Sequence, residues 1–183
     1  MMTVTETEIK GLFIIEPKVF QDSRGYFFES FNQKALEKSG IHIEFVQDNQ
    51  SKSQYGVIRG LHYQADPYAQ SKLIRVLDGE IFDVALDLRK DSKTYGKHFG
   101  LILSSDDKNQ LLIPTGFAHG FSVLSEKATV FYKCDAFYQP GAEGGIRYND
   151  PDLAIDWHVD PAKAIVSEKD KQLPLFKDID NYD

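Results

Sequence analysis

Two histidines lie close to glycines in strand-like runs, and this setting could support proton transfer. His62 occurs in "RGLHYQ" and His119 in "PTGFAHGF", whereas the other three histidines of the chain have no suggestive neighbours. Glycine within a strand permits close approach of a ligand to the backbone, or a bulge that re-aims a side chain. Imidazole exchanges protons near neutral pH, so each histidine is a candidate acid or base. Such a base needs an orienting acceptor, and Asp170 and Asp83 are the candidates, with the pairing left open.

The spacing of Arg59 and His62 makes a geometric prediction. The two residues are three positions apart in the extended run "GVIRGLHYQ". Regular alternation along a strand would place their side chains on opposite faces. If both serve one pocket, Gly60 must interrupt the pleat.

A metal site is the other chemical interpretation of these histidines. The two glycine–histidine segments in a β-rich chain resemble the cupin superfamily, whose metal-binding members carry His-x-His, a following glutamate and a third histidine. Here the first motif reads His62-Tyr63-Gln64, and no glutamate follows at suitable spacing. Two histidines fall short of the three protein ligands that catalytic metals generally need. We therefore expect no metal.

Length and composition limit the class of protein. A chain of 183 residues suffices for one well-packed domain, and no repeat or linker divides residues 1–183. A net charge of −7 argues against binding to nucleic acid or an anionic membrane. Cys134 is the only cysteine, which fits a reducing compartment, and the polar start "MMTVTETEIK" does not read as a signal peptide. We expect a cytoplasmic protein.

The elements that must position these residues are mostly strands. "RGYFFESF" is expected to form a strand after a turn at Arg24 and Gly25, and "NQKALEKSG" a helix between Asn32 and Gly40. The dipeptide Asp78-Gly79 lies between two strand-like runs and predicts a tight hairpin, with Asp83 in its second arm. Further strands follow at short, regular spacing, and peripheral structure follows Pro151. The pattern predicts an all-β sandwich or jelly roll.

Seven motifs then resemble one family, the dTDP-4-dehydrorhamnose 3,5-epimerases. They occur in the family's order between residues 8 and 176, and they are "RGYFFES", "QDNQSKS", "GVIRGLHYQ", "PTGFAHGF", "YKCDAFYQP", "GIRYNDPDLAIDW" and "SEKDKQLP". The resemblance implies a cupin-like jelly-roll barrel with a few short peripheral helices, a homodimer and no cofactor. It also implies epimerisation at C3 and C5 of a dTDP-linked 4-keto-6-deoxyhexose, on the route to dTDP-L-rhamnose. Both C–H bonds lie next to the C4 ketone, so a base can remove each proton if the enolate is stabilised.

The resemblance assigns the catalytic roles residue by residue. His62 matches the base and Asp170 its carboxylate partner. Tyr132 matches the acid that delivers a proton to the opposite face of the sugar. Lys72 matches the cation at the C4 oxygen, where enolate charge develops.

The same resemblance implies a set of substrate-binding residues. Arg24 and Arg59 suit the pyrophosphate, because the guanidinium group matches phosphate oxygens in bidentate geometry. Phe27 and Tyr138 match aromatic residues of the pocket. Arg24 and Glu29 are expected to reach into the partner subunit's site of the homodimer. The remaining matches are His119, a second pocket histidine expected near Asp83, and Gln47, Asn49, Glu143 and Lys169, which contact the nucleotide or sugar.

Small departures from the family pattern keep alternatives open. "YKCDAFYQP" has Asp-Ala-Phe where members often have Thr-Asp-Tyr, and Gly144-Gly145 replaces a commonly bulkier pair. These differences affect the sugar pocket, so a mono-epimerase acting at C3 or C5 only, or a ketoisomerase, is the alternative. A metal-dependent cupin oxygenase and a non-catalytic sugar-binding module are alternatives of a different class. The missing ligands argue against the oxygenase, and the retained base and aspartate argue against the binding module.

Overall fold

Fourteen short strands form the framework of the protein, for which a computed structural model describes residues 2–179. The first four are β1 (Thr3–Glu6), β2 (Phe13–Glu16), β3 (Phe20–Asp22) and β4 (Gly25–Phe27). Eight strands follow: β5 (Gln47–Gln54), β6 (Val57–Gln64), β7 (Lys72–Asp78), β8 (Glu80–Asp87), β9 (His98–Ser104), β10 (Gln110–Ile113), β11 (Phe117–Val123) and β12 (Lys127–Cys134). The last two are β13 (Glu143–Gly145) and β14 (Ile165–Val166).

Twelve of these strands form two facing sheets with jelly-roll topology. One sheet has the order β1-β2-β10-β7-β12-β5, and the other has the order β13-β6-β11-β8-β9, with β14 also paired to β6. From β5 to β12, consecutive strands alternate between the two sheets except for β8 and β9, which are neighbours in the second sheet. This is the double-sheet arrangement of a jelly roll. The expected all-β, cupin-like fold is confirmed.

Helices are few and short. They are α1 (Gln33–Lys38), α2 (Glu168–Lys171) and three 3₁₀ helices, Pro140–Ala142, Pro161–Lys163 and Phe176–Asp178. The predicted helix is confirmed as α1, because the Asn32 side chain accepts from the Ala35 amide at 3.2 Å and Gly40 follows the C-cap with φ +81°. Within residues 2–179, no helix is long and apolar enough to cross a membrane.

The predicted hairpin at Asp78-Gly79 is wrong. Strand β7 pairs with β10 and β12, whereas β8 pairs with β9 and β11, so the dipeptide crosses from one sheet to the other. Gly79 has φ +84°, as a tight turn requires, but a Cβ there would lie 2.1 Å from the Lys127 carbonyl oxygen. The glycine is therefore needed at a corner between sheets, where another strand approaches the backbone closely.

The expected strand in "RGYFFESF" is shorter than predicted. Only Gly25–Phe27 is extended, and it pairs with Phe20–Asp22 in a separate two-stranded hairpin. The turn at Arg24 is confirmed, since the Asp22 carboxylate accepts from the Arg24 amide at 2.8 Å. This hairpin leaves Phe20, Tyr26 and Phe27 more than half exposed.

Apolar side chains fill the space between the sheets and cover their outer faces. The central cluster includes Ile74, Leu111 and Phe121. As predicted, the chain beyond Pro151 is peripheral and packs on the outside of the second sheet, where Trp157 is 6% exposed. The Ser122 hydroxyl on β11 donates to the Trp157 carbonyl at 2.6 Å, which fixes this segment to the sheet.

Asp87, at the end of β8, organises the following loop. Its buried carboxylate accepts hydrogen bonds from the side chains of Arg89 at 2.8 Å, Ser92 at 2.6 Å and Thr94 at 2.6 Å. Burial alone would raise the pKa of Asp87, but these hydrogen bonds outweigh burial and lower the pKa to about 2. The ionised form of Asp87 therefore stabilises the fold.

Candidate active site

A cavity of about 210 Å³ opens between the two sheets, and it holds most of the predicted site residues. The residues lining it are Gln47, Asn49, Ser51, Arg59, His62, Tyr63, Gln64, Gln70, Lys72, His119, Gly120, Phe121, Tyr132, Tyr138 and Glu143.

Each wall of the cavity belongs to one sheet. His62 on β6 and His119 on β11 are direct cross-strand partners, so both histidines lie on the same wall. Asn49 on β5 and Tyr132 on β12 are partners in the facing sheet, which also carries Lys72. The cavity therefore places two imidazoles opposite a phenol and an ammonium group.

The interruption of the pleat predicted at Gly60 is present. Gly60 has φ +108°, and the register of β6 against β11 shifts between His119 and Phe121. A Cβ at Gly60 would lie 2.6 Å from both the Gly120 Cα and the His119 carbonyl oxygen, so only glycine fits. As a result, Arg59 and His62 both line the cavity.

His62 forms the first of two His–Asp pairs. Its Nε2 lies 2.8 Å from Oδ1 of Asp170, which is 4% exposed and reaches the site from α2. The Gly60 amide donates to the other carboxylate oxygen of Asp170 at 3.1 Å. Burial alone would raise the pKa of Asp170, but the hydrogen bond and charge of His62, with the Gly60 amide, hold it below the ordinary value. Nδ1 is then the ring nitrogen of His62 left for a substrate.

His119 forms the second pair, with a different environment. Its Nε2 lies 2.7 Å from Oδ1 of Asp83, whose side chain is fully buried on β8. The Oδ2 atom of Asp83 has no hydrogen-bond partner among the described residues. Within the described part of the chain, Asp83 therefore accepts a hydrogen bond from His119 but none from a backbone amide, whereas Asp170 accepts from both His62 and the Gly60 amide.

The facing wall supplies a cation and an acid. Burial lowers the pKa of Lys72, while the negative charges of Asp83 and Glu143 act in the opposite direction. Burial also raises the pKa of Tyr132, so the phenol stays protonated at neutral pH. The geometry places a proton donor across the cavity from the His62–Asp170 pair.

Polar contacts order the mouth of the cavity. The Tyr138 hydroxyl donates to Glu143 Oε2 at 2.6 Å, and Lys169 Nζ lies 2.8 Å from the same oxygen. Burial alone would raise the pKa of Glu143, but the hydrogen bonds from Lys169 and Tyr138 lower it. Gln47 accepts from the Tyr138 amide at 3.0 Å and donates to Asn49 at 3.1 Å.

Comparison with known proteins identifies the family to which a chain with this site belongs. The sequence model of the dTDP-4-dehydrorhamnose 3,5-epimerases matches residues 6–178. The chain belongs to this family. It is 52% identical to dTDP-4-dehydrorhamnose 3,5-epimerase of Shigella flexneri over 182 residues, covering 99% of each chain. It is 50% identical to the dTDP-6-deoxy-D-glucose 3,5-epimerase of Legionella pneumophila, solved with dTDP-4-keto-L-rhamnose, with a TM-score of 0.94 and coverage of 98% and 95%.

A more distant relative bears on the number of centres inverted. The chain is 26% identical to a 3′-monoepimerase from Streptomyces bikiniensis, solved with dTDP as a double mutant, at a TM-score of 0.86. The match covers 93% of this chain and 85% of that one. The same fold therefore accommodates both mono-epimerases and 3,5-epimerases, and this chain is more similar to the 3,5-epimerases named above.

Five residues expected in the epimerase site do not line the cavity of this chain. Asp170 and Lys169 contact the lining residues His62 and Glu143, whereas the other three lie elsewhere. The Arg24 side chain is 88% exposed and pairs with Asp22 at 2.6 Å. Phe27 is 68% exposed on the same hairpin, and Glu29 accepts from the Asn32 side chain at 3.1 Å. The fold of a single chain therefore does not place these three residues beside His62, the proposed general base.

Several epimerase residues around the cavity were missed from the sequence. Strand alternation could have found Ser51, which continues the inward face of Gln47 and Asn49, and Phe121, which follows His119. The same rule applies to Gln64, two residues after His62. Gln70, in the loop before β7, had no such signal.

The lone cysteine of the epimerase is buried beside the cavity. Burial raises the pKa of Cys134 to about 11, so its side chain is a neutral thiol. The Asn49 amide lies 3.6 Å from its sulfur. Within residues 2–179, no group of three or more His, Cys, Asp or Glu side chains could hold a metal ion.

Proposed function

We propose that the protein epimerises C3 and C5 of dTDP-4-keto-6-deoxy-D-glucose, giving dTDP-4-keto-L-rhamnose for dTDP-L-rhamnose synthesis. The observation that carries the proposal is the His62–Asp170 pair on one wall, facing the protonated Tyr132 phenol on the other. Inversion needs a proton acceptor on one face of the sugar and a proton donor on the opposite face. Membership of the 3,5-epimerase family supports the choice of substrate and reaction.

His62 acts as the general base in this proposal. Asp170 accepts a hydrogen bond from the Nε2–H group, so Nδ1 presents a lone pair to the C–H bond next to the ketone. When Nδ1 takes the proton, the C–H electrons form the enolate and the negative carboxylate stabilises the imidazolium. The two hydrogen bonds to Asp170 keep the imidazole in this tautomer.

Lys72 stabilises the enolate. The electron pair released from the C–H bond moves onto the C4 oxygen, where an ammonium group compensates its charge in a water-poor cavity. Lys72 lies on the facing sheet, and Asp83 and Glu143 favour its charged form. His119, held by Asp83, is the second group proposed to contact this end of the sugar.

Tyr132 completes the inversion. Its O–H bond donates the proton to the carbon from the face opposite His62, and the C4 carbonyl re-forms as the enolate electrons return. The phenolate then regains a proton and His62 loses one, through exchange with solvent. Repetition at the second carbon gives the doubly inverted product. These steps need only a base, an acid and a cation, so we propose no cofactor.

The nucleotide extends from the cavity through its mouth in this proposal. The reacting carbons must lie between His62 and Tyr132, which leaves the pyrophosphate and base near the rim. Arg59 offers a guanidinium group to the pyrophosphate. The rim residues proposed to contact the nucleotide or sugar are Gln47, Asn49, Tyr138, Glu143 and Lys169.

We also propose a homodimer, in which the β3–β4 hairpin completes the partner's site. Arg24, Phe27 and Glu29 lie outside this chain's cavity, and the exposed aromatic residues of the hairpin suit a protein contact. In the partner's site, Arg24 would contact the pyrophosphate of the bound substrate. Phe27 and Glu29 would contact its nucleotide or its sugar. We further propose residues 1–183 as one domain and, from the single cysteine, a cytoplasmic location.

Inversion at a single carbon is the second candidate, because a 3′-monoepimerase shares this fold. Proton NMR of dTDP-4-keto-6-deoxyglucose with the purified protein in D₂O distinguishes the two. Deuterium at both C3 and C5, with reduction of the product by a 4-ketoreductase to dTDP-L-rhamnose, is the expected result. Exchange at one carbon only would favour the mono-epimerase, and exchange at neither would reject both.

A further inference from the structure

The segment that carries Tyr138 is held in place mainly by side-chain amides. We define residues 135–139, which directly follow β12, as the rim segment. It has no strand or helix of its own in the described structure. Besides the Tyr138 hydroxyl, four residue pairs attach it to the cavity walls: the Ser71 amide to Asp135 at 2.6 Å, Gln70 to the Ala136 carbonyl at 2.8 Å, the Tyr138 amide to Gln47 at 3.0 Å, and Gln64 to Gln139.

Among these four, Gln64 is the one whose side chain both donates to and accepts from the rim segment. Its Oε1 accepts from the Gln139 amide at 2.7 Å, and its Nε2 donates to the Gln139 carbonyl at 3.0 Å. The residue is 4% exposed, so both bonds are made away from bulk water. A neutral carboxamide presents a donor and an acceptor side by side, which is the pattern that a neighbouring strand would offer.

The same residue links the rim segment to the acidic group that Tyr138 contacts. Gln64 on β6 is the cross-strand partner of Glu143 on β13, and the Tyr138 hydroxyl donates to Glu143 at 2.6 Å. Tyr138 is therefore fixed through its backbone neighbour on one side and through its hydroxyl on the other. Its ring is left 48% exposed at the mouth of the cavity.

We propose that Gln64 is a positioning residue that fixes Tyr138 as a wall of the nucleotide site. It sets the affinity for the nucleotide and takes no part in proton transfer. The identity of the ligand rests on the function proposed above, in which the nucleotide leaves the cavity past Tyr138. Aromatic rings that stack on a base contribute enough to affinity for a misplaced ring to be measurable.

The variant Gln64→Glu tests this role through pH. The ionised carboxylate keeps the acceptor for the Gln139 amide but sets a negative oxygen against the Gln139 carbonyl. The protonated form restores the donor, and burial raises the pKa of the introduced carboxyl. The titratable and charged groups that line the cavity with it are Arg59, His62 and Tyr63 on its own strand, His119 on β11, Glu143 on β13, Tyr138 on the rim segment, and Lys72 and Tyr132 on the facing sheet.

The measurement is the Kd of dTDP by calorimetry, expressed as the ratio of variant to wild type at each pH. We expect a ratio of about 10 at pH 8.5, equivalent to about 1.4 kcal/mol, falling towards 1 at pH 5. KM should follow the same ratio while kcat stays within about twofold, the split expected for lost uniform binding. Gln64→Met, which removes both hydrogen bonds, should weaken dTDP binding at both pH values without rescue by acid.

Ser122→Ala controls for lost stability alone. It removes a fully buried hydrogen bond to Trp157 on the outer side of the second sheet, away from the cavity. Its thermal stability should fall while its Kd for dTDP stays at the wild-type value. A Gln64→Glu ratio within twofold of 1 at pH 8.5, or an effect confined to kcat, would overturn the role of Gln64. Wild-type protein that binds dTDP without epimerising the sugar would instead reject the proposed function.

Discussion

Replacing Asp170 by asparagine tests the orientation of the proposed base. In the wild type, Asp170 accepts from His62 Nε2 at 2.8 Å and from the Gly60 amide at 3.1 Å. An asparagine has one oxygen, and the Gly60 amide requires it. The asparagine NH₂ group then faces His62, which must accept at Nε2 and carry its proton on Nδ1, the nitrogen that faces the substrate.

The size of the loss follows from these contacts. Turning the amide around would restore the tautomer but set the NH₂ group against the buried Gly60 N–H, leaving both donors unsatisfied. An unsatisfied buried donor costs roughly 2 kcal/mol, so the active arrangement is populated about 30-fold less. Replacing a charged acceptor by a neutral one removes about 1 kcal/mol or more from the stabilisation of the imidazolium. Together these effects amount to about 3 kcal/mol or more and lower kcat by at least about 150-fold.

The assay measures kcat with the keto sugar, deuterium exchange at C3 and C5, and the Kd of dTDP. Exchange should fall in parallel with kcat, because proton removal is the affected step, while the Kd changes less than about twofold. Asp83→Asn is the matched control, since Asp83 Oδ2 has no donor to satisfy and the amide oxygen can turn to His119. Its loss should be smaller by tenfold or more. A loss below tenfold in Asp170→Asn, or a Kd that rises as far as kcat falls, would refute the reasoning.

Three further variants probe other contacts. Tyr132→Phe should stop inversion yet leave some deuterium exchange by NMR, because proton removal precedes delivery; inversion at the wild-type rate would show that Tyr132 is not the acid. Gly60→Ala should lower the free energy of unfolding by about 3 kcal/mol or more in urea titrations, through positive φ and backbone contacts at 2.6 Å, whereas Gly141→Ala, with nothing within 4 Å, should not. Asp87→Asn should cost about 2 kcal/mol at pH 7, because Asp87 has a pKa of about 2 against an ordinary 3.8. The difference in the free energy of unfolding between wild type and this variant should be complete above pH 4 and disappear as the pH falls towards 2. A stability difference independent of pH would contradict this role of the ionised Asp87.

Some features of the site could be predicted because they depend on local geometry. Alternation along a strand was enough to require an interruption at Gly60 if Arg59 and His62 shared a pocket. The Asn32 cap and Gly40 defined α1 for the same reason, since caps act within one turn of helix. The pairing of each histidine with its aspartate came from the family resemblance, because the partners are 108 and 36 residues apart.

Other features could not be predicted, because the contact that decides them comes from a distant part of the chain. Asp78-Gly79 has the composition of a hairpin turn, but the Lys127 carbonyl beside Gly79 makes it a corner between sheets. The sequence of a dipeptide can predict its own backbone conformation, but it cannot predict which distant strand packs against it. Likewise, the hydrogen bonds between Gln64 and Gln139 join residues 75 positions apart, so no short sequence pattern predicts them.

The alternation of strands between the two sheets has a consequence for how the protein folds. The strand pair β5–β12 joins residues 47–54 to residues 127–134, and β6 meets β11 across a similar interval. Closing such long loops costs entropy before any contact compensates it, so the contact order is high and folding on the millisecond to second scale is expected. The two walls and α2 must all be docked before His62 has both its carboxylate and its facing phenol. Recovery of turnover during refolding would therefore report the completion of the last docking step, whereas circular dichroism would report the sheets.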